Sequence, residues 1–179
     1  NPATFRIGAF DCKKGEMKYF TNGDVKSIND LMKIVRASSS LPILMPPTHI
    51  NGRCYVDGGV SRGIALEIAK RDGMKKFFVV LTRPKGYRKA AHKFKSFFKA
   101  RYRKTPAVAD AILTRHMTYN KTLDELEQLE KEGLAYLVYP DVMPVSNDER
   151  CYEKLAESYE LGYAQGKRDL HKWIDFLGL

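Results

Sequence analysis

Large apolar residues alternate with small or polar ones through Phe5-Arg6-Ile7-Gly8-Ala9-Phe10-Asp11, the two-residue period of a strand. Met17-Lys18-Tyr19-Phe20 follows the polar Lys13-Lys14-Gly15, so a hairpin is expected, with a turn type that the spacing leaves open. Asn22-Gly23-Asp24 closes that unit and offers Asp24 as a helix N-cap. Ile28, Leu31, Met32, Ile34 and Val35 then recur at helical spacing, which predicts an amphipathic helix up to about Ser38. Leu41-Pro42 and Pro46-Pro47 end it and impose an extended connection. Residues 49–53 read as a second hairpin-like approach, into a strand that ends at Asp57.

Beyond Gly59, the spacing of Ile64, Leu66, Ile68 and Ala69 predicts a helix that stops near Asp72-Gly73. Phe77-Phe78-Val79-Val80-Leu81 is a continuous apolar run of strand length. Such a run suits a strand buried on both faces, in the middle of a parallel, helix-covered sheet. Strand, helix, strand in this order is one βαβ unit, and the class is α/β. Helices are expected over residues 90–102 and 106–131, a strand over 134–139 and a long helix over 149–177. The last would turn Leu155, Tyr159, Tyr163 and Leu170 towards the core. Neither an internal repeat nor a low-complexity tract interrupts the chain.

At 179 residues, 44% hydrophobic and 29% charged, the sequence reads as one soluble globular domain with a real core. No apolar run approaches the length of a membrane span. The absence of a signal-peptide pattern makes the cytoplasm the expected compartment. Cys12, Cys54 and Cys151 are far apart in the chain and in no metal-ligand spacing, which suits reduced, buried thiols. The first residue is Asn1 and a strand begins within five residues, the pattern expected of a fragment or a processed chain. The formal charge of +10 is uneven. Residues 83–104 hold ten of the 31 Lys and Arg and none of the 21 Asp and Glu, which leaves the rest of the chain neutral.

The candidate chemistry centres on Arg53-Cys54-Tyr55-Val56-Asp57-Gly58-Gly59-Val60. A β-rich run delivers Asp57 on a rigid strand end. Gly58 and Gly59 have no Cβ, so they accept unusual φ/ψ and let other backbone or a substrate come close. Taken alone, Asp-Gly is also an ordinary turn pair.

Three stretches in order change that reading: Ala37-Ser38-Ser39-Ser40-Leu41-Pro42, then Tyr55-Val56-Asp57-Gly58-Gly59-Val60, then the apolar strand. Together they resemble the second half of a patatin-like phospholipase or acyl hydrolase. The segment Val79-Val80-Leu81-Thr82-Arg83-Pro84-Lys85-Gly86-Tyr87-Arg88-Lys89 is similar to a bacterial subgroup of that family. The resemblance runs from Phe5 through the last helix. It implies that residues 1–179 form the C-terminal part of a single patatin-like domain. The implied fold is a three-layer α/β/α arrangement with a mostly parallel central sheet, incomplete at its N-terminus. It also implies a serine-dependent acyl ester hydrolase, an esterase or phospholipase of lipid metabolism that works with a Ser-Asp dyad and no cofactor or metal. Asp57 would be the acid of the pair, and Gly58 and Gly59 its active-site loop. The glycine-rich oxyanion loop and the serine elbow would precede this chain, which alone would be inactive. Where many members carry a proline after Asp-Gly-Gly, this sequence reads Ser61-Arg62-Gly63-Ile64-Ala65.

Other residues compete for function. Gly59-Val60-Ser61-Arg62-Gly63 satisfies Gly-x-Ser-x-Gly between a strand and a helix, the setting of a nucleophile elbow. Only about sixty residues precede it, and overlap with Asp-Gly-Gly explains its first glycine, so a helix-start serine is the preferred reading. Ser38 and Ser40 are candidates to line a pocket, with helix-ending hydroxyls as the plainer alternative. His49, His92, His116 and His171 lack metal-ligand spacing. Phe94, Phe98 and Tyr102 fall at i, i+4 and i+8 among Lys93, Lys95, Lys99, Arg101 and Arg103. This basic amphipathic pattern suits an anionic membrane surface, and it also fits an aromatic stripe packed on the core under solvated lysines. The expected partners are a lipid or acyl-ester substrate and an anionic membrane surface reached peripherally, with no specific nucleic acid. The alternative to the enzyme is a non-catalytic membrane-surface or regulatory module that retains the fold.

Overall fold

Two tight turns shape the first part of the molecule, which a computed structural model describes for residues 3–146 and 149–179. Strand β1 (Ile7–Asp11) returns as β2 (Glu16–Phe20) through a turn in which Asp11 Oδ1 accepts the Lys13 and Lys14 N–H groups and Gly15 takes a φ of +73°. Strand β3 (Thr48–Ile50) returns as β4 (Arg53–Asp57) through Asn51-Gly52, with φ of +49° and +73°. Positive φ at both residues defines a turn whose twist matches a hairpin. Turns this short allow only antiparallel pairing. The resulting sheet is ordered β2-β1-β4-β3, with Ala9 opposite Asp57 and Phe10 opposite Val56.

Alternation along β1 and β4 sends residues to two cores. Phe10, Cys12 and Val56 meet Val60, Phe98, Tyr102, Val108 and Ile112 on one face. Ala9 and Tyr55 meet Phe20, Ile34 and Ala37 on the other. The sheet therefore lies between α1 (Ile28–Ser38) and the pair formed by α3 (Lys95–Arg101) and the start of α4 (Pro106–Lys131). These elements make up one compact unit, Asn1–Ile68 with Lys89–Thr122; Ala69–Arg88 with Leu123–Leu179 makes up another.

The second unit contains β5 (Phe77–Val80) and β6 (Ala135–Val138), paired in parallel with Phe77 opposite Ala135. Helix α5 (Tyr152–Leu177) packs on this pair through rings. Trp173 stands edge-on to Phe78, which stacks on Tyr136, and Phe176 lies 5.5 Å from Tyr136 between ring centroids. Arg168 ties the helix to Asp141 at 2.6 Å, and Gln165 Nε2 donates to the Tyr139 carbonyl. Arg88 bridges Asp124 and Glu127, at 3.0 and 2.8 Å. Among the described residues no helix is long and apolar enough to cross a membrane.

The chain is thus mixed α/β, and several finer expectations change. Parallel pairing is confined to β5 and β6, because β4 is captured by its hairpin partner and by β1. The β4–α2–β5 stretch, with α2 spanning Leu66–Arg71, places its two strands in different sheets. Strand β5 is not buried on both faces, since Val80 is 66% exposed. Asp24 does not cap α1. It closes a capping box with Thr21 around a single 3₁₀ turn, and Ser27 caps the helix by accepting from Asp30 N. The basic helix is short, starting at Lys95 with no side-chain cap. Leu155, Tyr159, Tyr163 and Leu170 are exposed, because α5 is anchored through Trp173 and Phe176 instead. The thiols are not all buried: Cys151 is exposed, and Cys12 and Cys54 sit side by side with sulfurs 3.0 Å apart.

Candidate active site

Strand β4 delivers Asp57 to a point fixed by main-chain contacts. The Asp57 N–H donates to the Ser40 carbonyl at 2.9 Å. Its Oδ1 accepts the Gly59 N–H at 2.6 Å and so caps the 3₁₀ turn Gly58–Val60. Among the described residues no hydrogen bond reaches Oδ2, and Asp57 is only half-buried. One carboxylate oxygen is committed and the other can face a donor.

The two glycines serve approach rather than unusual torsion, since neither has a positive φ. A Cβ on Gly58 would lie 2.8 Å from the Gly8 carbonyl oxygen and 2.7 Å from Met17 Cε. One on Gly59 would lie 3.0 Å from Asp57 Oδ1 and 3.3 Å from Arg115 Nη2. The serines before the proline lock the same place. Ser38 Oγ donates to the Gly8 carbonyl at 2.8 Å. Ser40, fully buried, donates to the Arg36 carbonyl and shares a hydrogen bond with Thr48.

Ser61 does not form an elbow. Its φ of −105° is unstrained, its N–H closes the 3₁₀ turn on Gly58, and α2 begins only at Leu66. It is not a helix-start residue either. The Ser61 carbonyl accepts the Thr118 hydroxyl at 2.7 Å, which joins the loop to α4.

Helix α4 contributes residues that no motif announced. A Cβ on Gly63 would lie 2.8 Å from the Tyr119 ring, so this part of the loop lies flat on the helix. Asn120 donates to the Lys89 carbonyl and accepts its N–H. Arg115 Nε and His116 Nδ1 are buried and have no hydrogen-bond partner among the described residues. The His92 imidazole is held below its ordinary pKa first by burial and then by Arg115, Lys89 and His116, so four basic groups are gathered here. The signal in the sequence was a polar run, Arg115-His116 and Tyr119-Asn120, between the apolar positions of α4.

The basic stretch divides. Lys93, Lys95 and Lys99 are exposed, as is Phe94 at 74%, with Phe97 at 52% beside them. Phe98 and Tyr102 are buried in the core, so the aromatic stripe does not form one lipid-facing face. A groove of about 480 Å³ lies between the 42–47 connection and the end of α3, with Arg101 and Lys104 in its lining. A smaller cavity lies against Phe20, Ile34 and His49. Asp57, Ser38 and Ser40 line neither of these two. Among the described residues no three His, Cys, Asp or Glu side chains gather as metal ligands would.

Asp57 thus stands at a strand end, with one carboxylate oxygen held by the glycine turn. Residues 16–70 match the family model of patatin-like phospholipase, and residues 105–178 match a domain of unknown function (DUF6363). The Asp-Gly-Gly region is patatin-like, in agreement with the motifs that carry the resemblance. The chain is also 25% identical over 157 residues to lysophospholipase NTE1 of Cryptococcus neoformans var. neoformans serotype D, from strains JEC21 / ATCC MYA-565 and B-3501A. Those matches cover 79% of this chain but 9% of each relative, so the chain spans about a tenth of the length of the curated relatives it matches.

The close approach at Gly58 sets the expected cost of filling it. Gly58→Ala should lower stability by about 1–3 kcal/mol through overpacking against Gly8 and Met17. A denaturant midpoint equal to that of the unsubstituted protein would contradict the approach.

Proposed function

We propose that this chain supplies the aspartate of a serine acyl-ester hydrolase that acts on lipid esters, with phospholipids and lysophospholipids among its substrates. The observation that carries the reading is Asp57 itself, its Oδ1 tied to Gly59 and its Oδ2 unengaged. The serine and the oxyanion-binding backbone are contributed from outside these residues, within one patatin-like domain. Asp57 takes the serine proton as the hydroxyl oxygen bonds to the ester carbonyl carbon. Backbone N–H groups stabilise the oxyanion. The leaving alcohol recovers the proton, and water then releases the acyl group by the same route. A carboxylate suffices as base because it is within hydrogen-bond reach of the hydroxyl and is itself held still. The family match to residues 16–70 and the lysophospholipase relatives support the lipid substrate.

A second reading, peripheral binding to an anionic membrane in the cytoplasm, is supported by exposed Phe94 beside Lys93, Lys95 and Lys99. Phe98 drops out of that surface because it belongs to the core. A non-catalytic lipid-surface module would share this feature without the chemistry.

In the full protein, Asp57→Asn should lower kcat on acyl esters by about 10²- to 10⁴-fold, the range of a lost general base. Hydrolysis at the unsubstituted rate would sink the assignment. Vesicles rich in phosphatidylserine should bind less tightly when Lys93, Lys95 and Lys99 are changed to Gln. Each charge near the surface contributes about 1 kcal/mol. Co-sedimentation unaffected by the triple change would remove the membrane reading.

A further inference from the structure

Arg115 presents a problem that the Ser-Asp chemistry leaves unsolved. Among the described residues its buried Nε–H has no partner, and no carboxylate forms an ion pair or hydrogen bond with its guanidinium. An unmet buried donor is costly, and the half-buried guanidinium has no anion beside it to offset that cost. The group is nevertheless held in place, because Thr118 and Tyr119, on the next turn of α4, are fastened to the 61–63 loop. Nη2 comes within 3.3 Å of the position of a Gly59 Cβ, on the same glycine that Asp57 Oδ1 approaches to 3.0 Å. Beside it, His116 Nδ1 is likewise buried without a partner.

We propose that Arg115 and His116 form an anion subsite beside Asp57 that takes the phosphate of a phospholipid or lysophospholipid headgroup. The subsite rests on the hydrolase reading above and adds the residues that would hold the phosphate of those substrates. A guanidinium presents N–H donors in a planar fork that matches phosphate oxygens. In a glycerophospholipid only two or three carbons separate an ester oxygen from the phosphate ester oxygen. A carbonyl presented to the Ser-Asp pair therefore carries its phosphate into the neighbourhood of Arg115. Asp57 opposes a second anion in the resting site, and that opposition vanishes when the carboxylate takes the serine proton. A Cβ on Gly59 would crowd both Asp57 and Arg115.

The test compares the full protein with its Arg115→Gln and Arg115→Lys variants on lysophosphatidylcholine and on a monoacylglycerol with the same acyl chain. The ratio of the two kcat/KM values should fall by about 10- to 100-fold in Arg115→Gln, the loss expected for charge-assisted hydrogen bonds. Arg115→Lys, which keeps the charge without the fork, should fall between. An unchanged ratio would overturn the subsite and leave the hydrolase reading standing. If the unsubstituted protein cleaves neither ester, that reading fails, and calorimetry decides the subsite separately. Binding of glycerol 3-phosphate that disappears in Arg115→Gln supports it, and no binding to the unsubstituted protein overturns it. Inorganic phosphate bound as tightly as glycerol 3-phosphate would overturn the headgroup assignment in favour of the free ion.

Discussion

The approach of Gly58 to the Gly8 carbonyl is the constraint on which the rest of the site depends. Strand β1 pairs with β4 so that Ala9 lies opposite Asp57, which brings Gly8 alongside Gly58. The same carbonyl accepts the Ser38 hydroxyl, and the Ser40 carbonyl accepts the Asp57 N–H. Strand, helix end and turn are thereby cross-linked by main-chain groups within a few residues. Asp57 is rigid because three segments agree on where it stands, and only the backbone-sized gap at Gly58 lets them do so.

In the proposed reaction that rigidity matters, because a carboxylate base works through geometry. One Asp57 oxygen is held by the hydrogen bond to Gly59, and the other takes no hydrogen bond among the described residues. The helices on either face of the sheet support this arrangement from different directions. Helix α1 ends in the serines that hold the turn, while α4 brings Thr118 and Tyr119 against the loop that follows. The positive segment 83–104 is partly spent on structure. Arg88 is bound by Asp124 and Glu127, Lys89 lies over the Tyr119 ring and Arg101 over that of Tyr102. Lys93, Lys95 and Lys99 are exposed beside Phe94, and Arg103 and Lys104 are exposed further along.

Local signals were legible in the sequence, and long-range ones were not. The hairpin-like stretch 49–53 turns at Asn51-Gly52, where positive φ at two successive residues favours that pair. Pro106 opens α4 where expected, and Gly133, at φ +72°, lies just beyond its end. The serine-proline and Asp-Gly-Gly stretches were found together, and the structure gives their spacing a cause in the Ser40–Asp57 hydrogen bond. The covered face of α5 does not follow from its sequence, since apolar residues occupy two faces of that helix and the rings of Trp173 and Phe176 are the ones that reach β5 and β6. Helix α3 starts later than its spacing suggests, because Phe94 keeps the aromatic period with Phe98 and Tyr102 while standing just before the first helical turn. Arg115 could not be found by motif. Its importance lies in a contact with a glycine more than fifty positions away, which periodicity along α4 does not report.

The central claim is that Asp57 serves a serine contributed from outside these 179 residues. Labelling the full protein with a fluorophosphonate and mapping the modified peptide by mass spectrometry tests it directly. The account requires the label on a serine beyond this chain, with Ser61 unmodified. Label on Ser61, or no serine labelled at all, would contradict it.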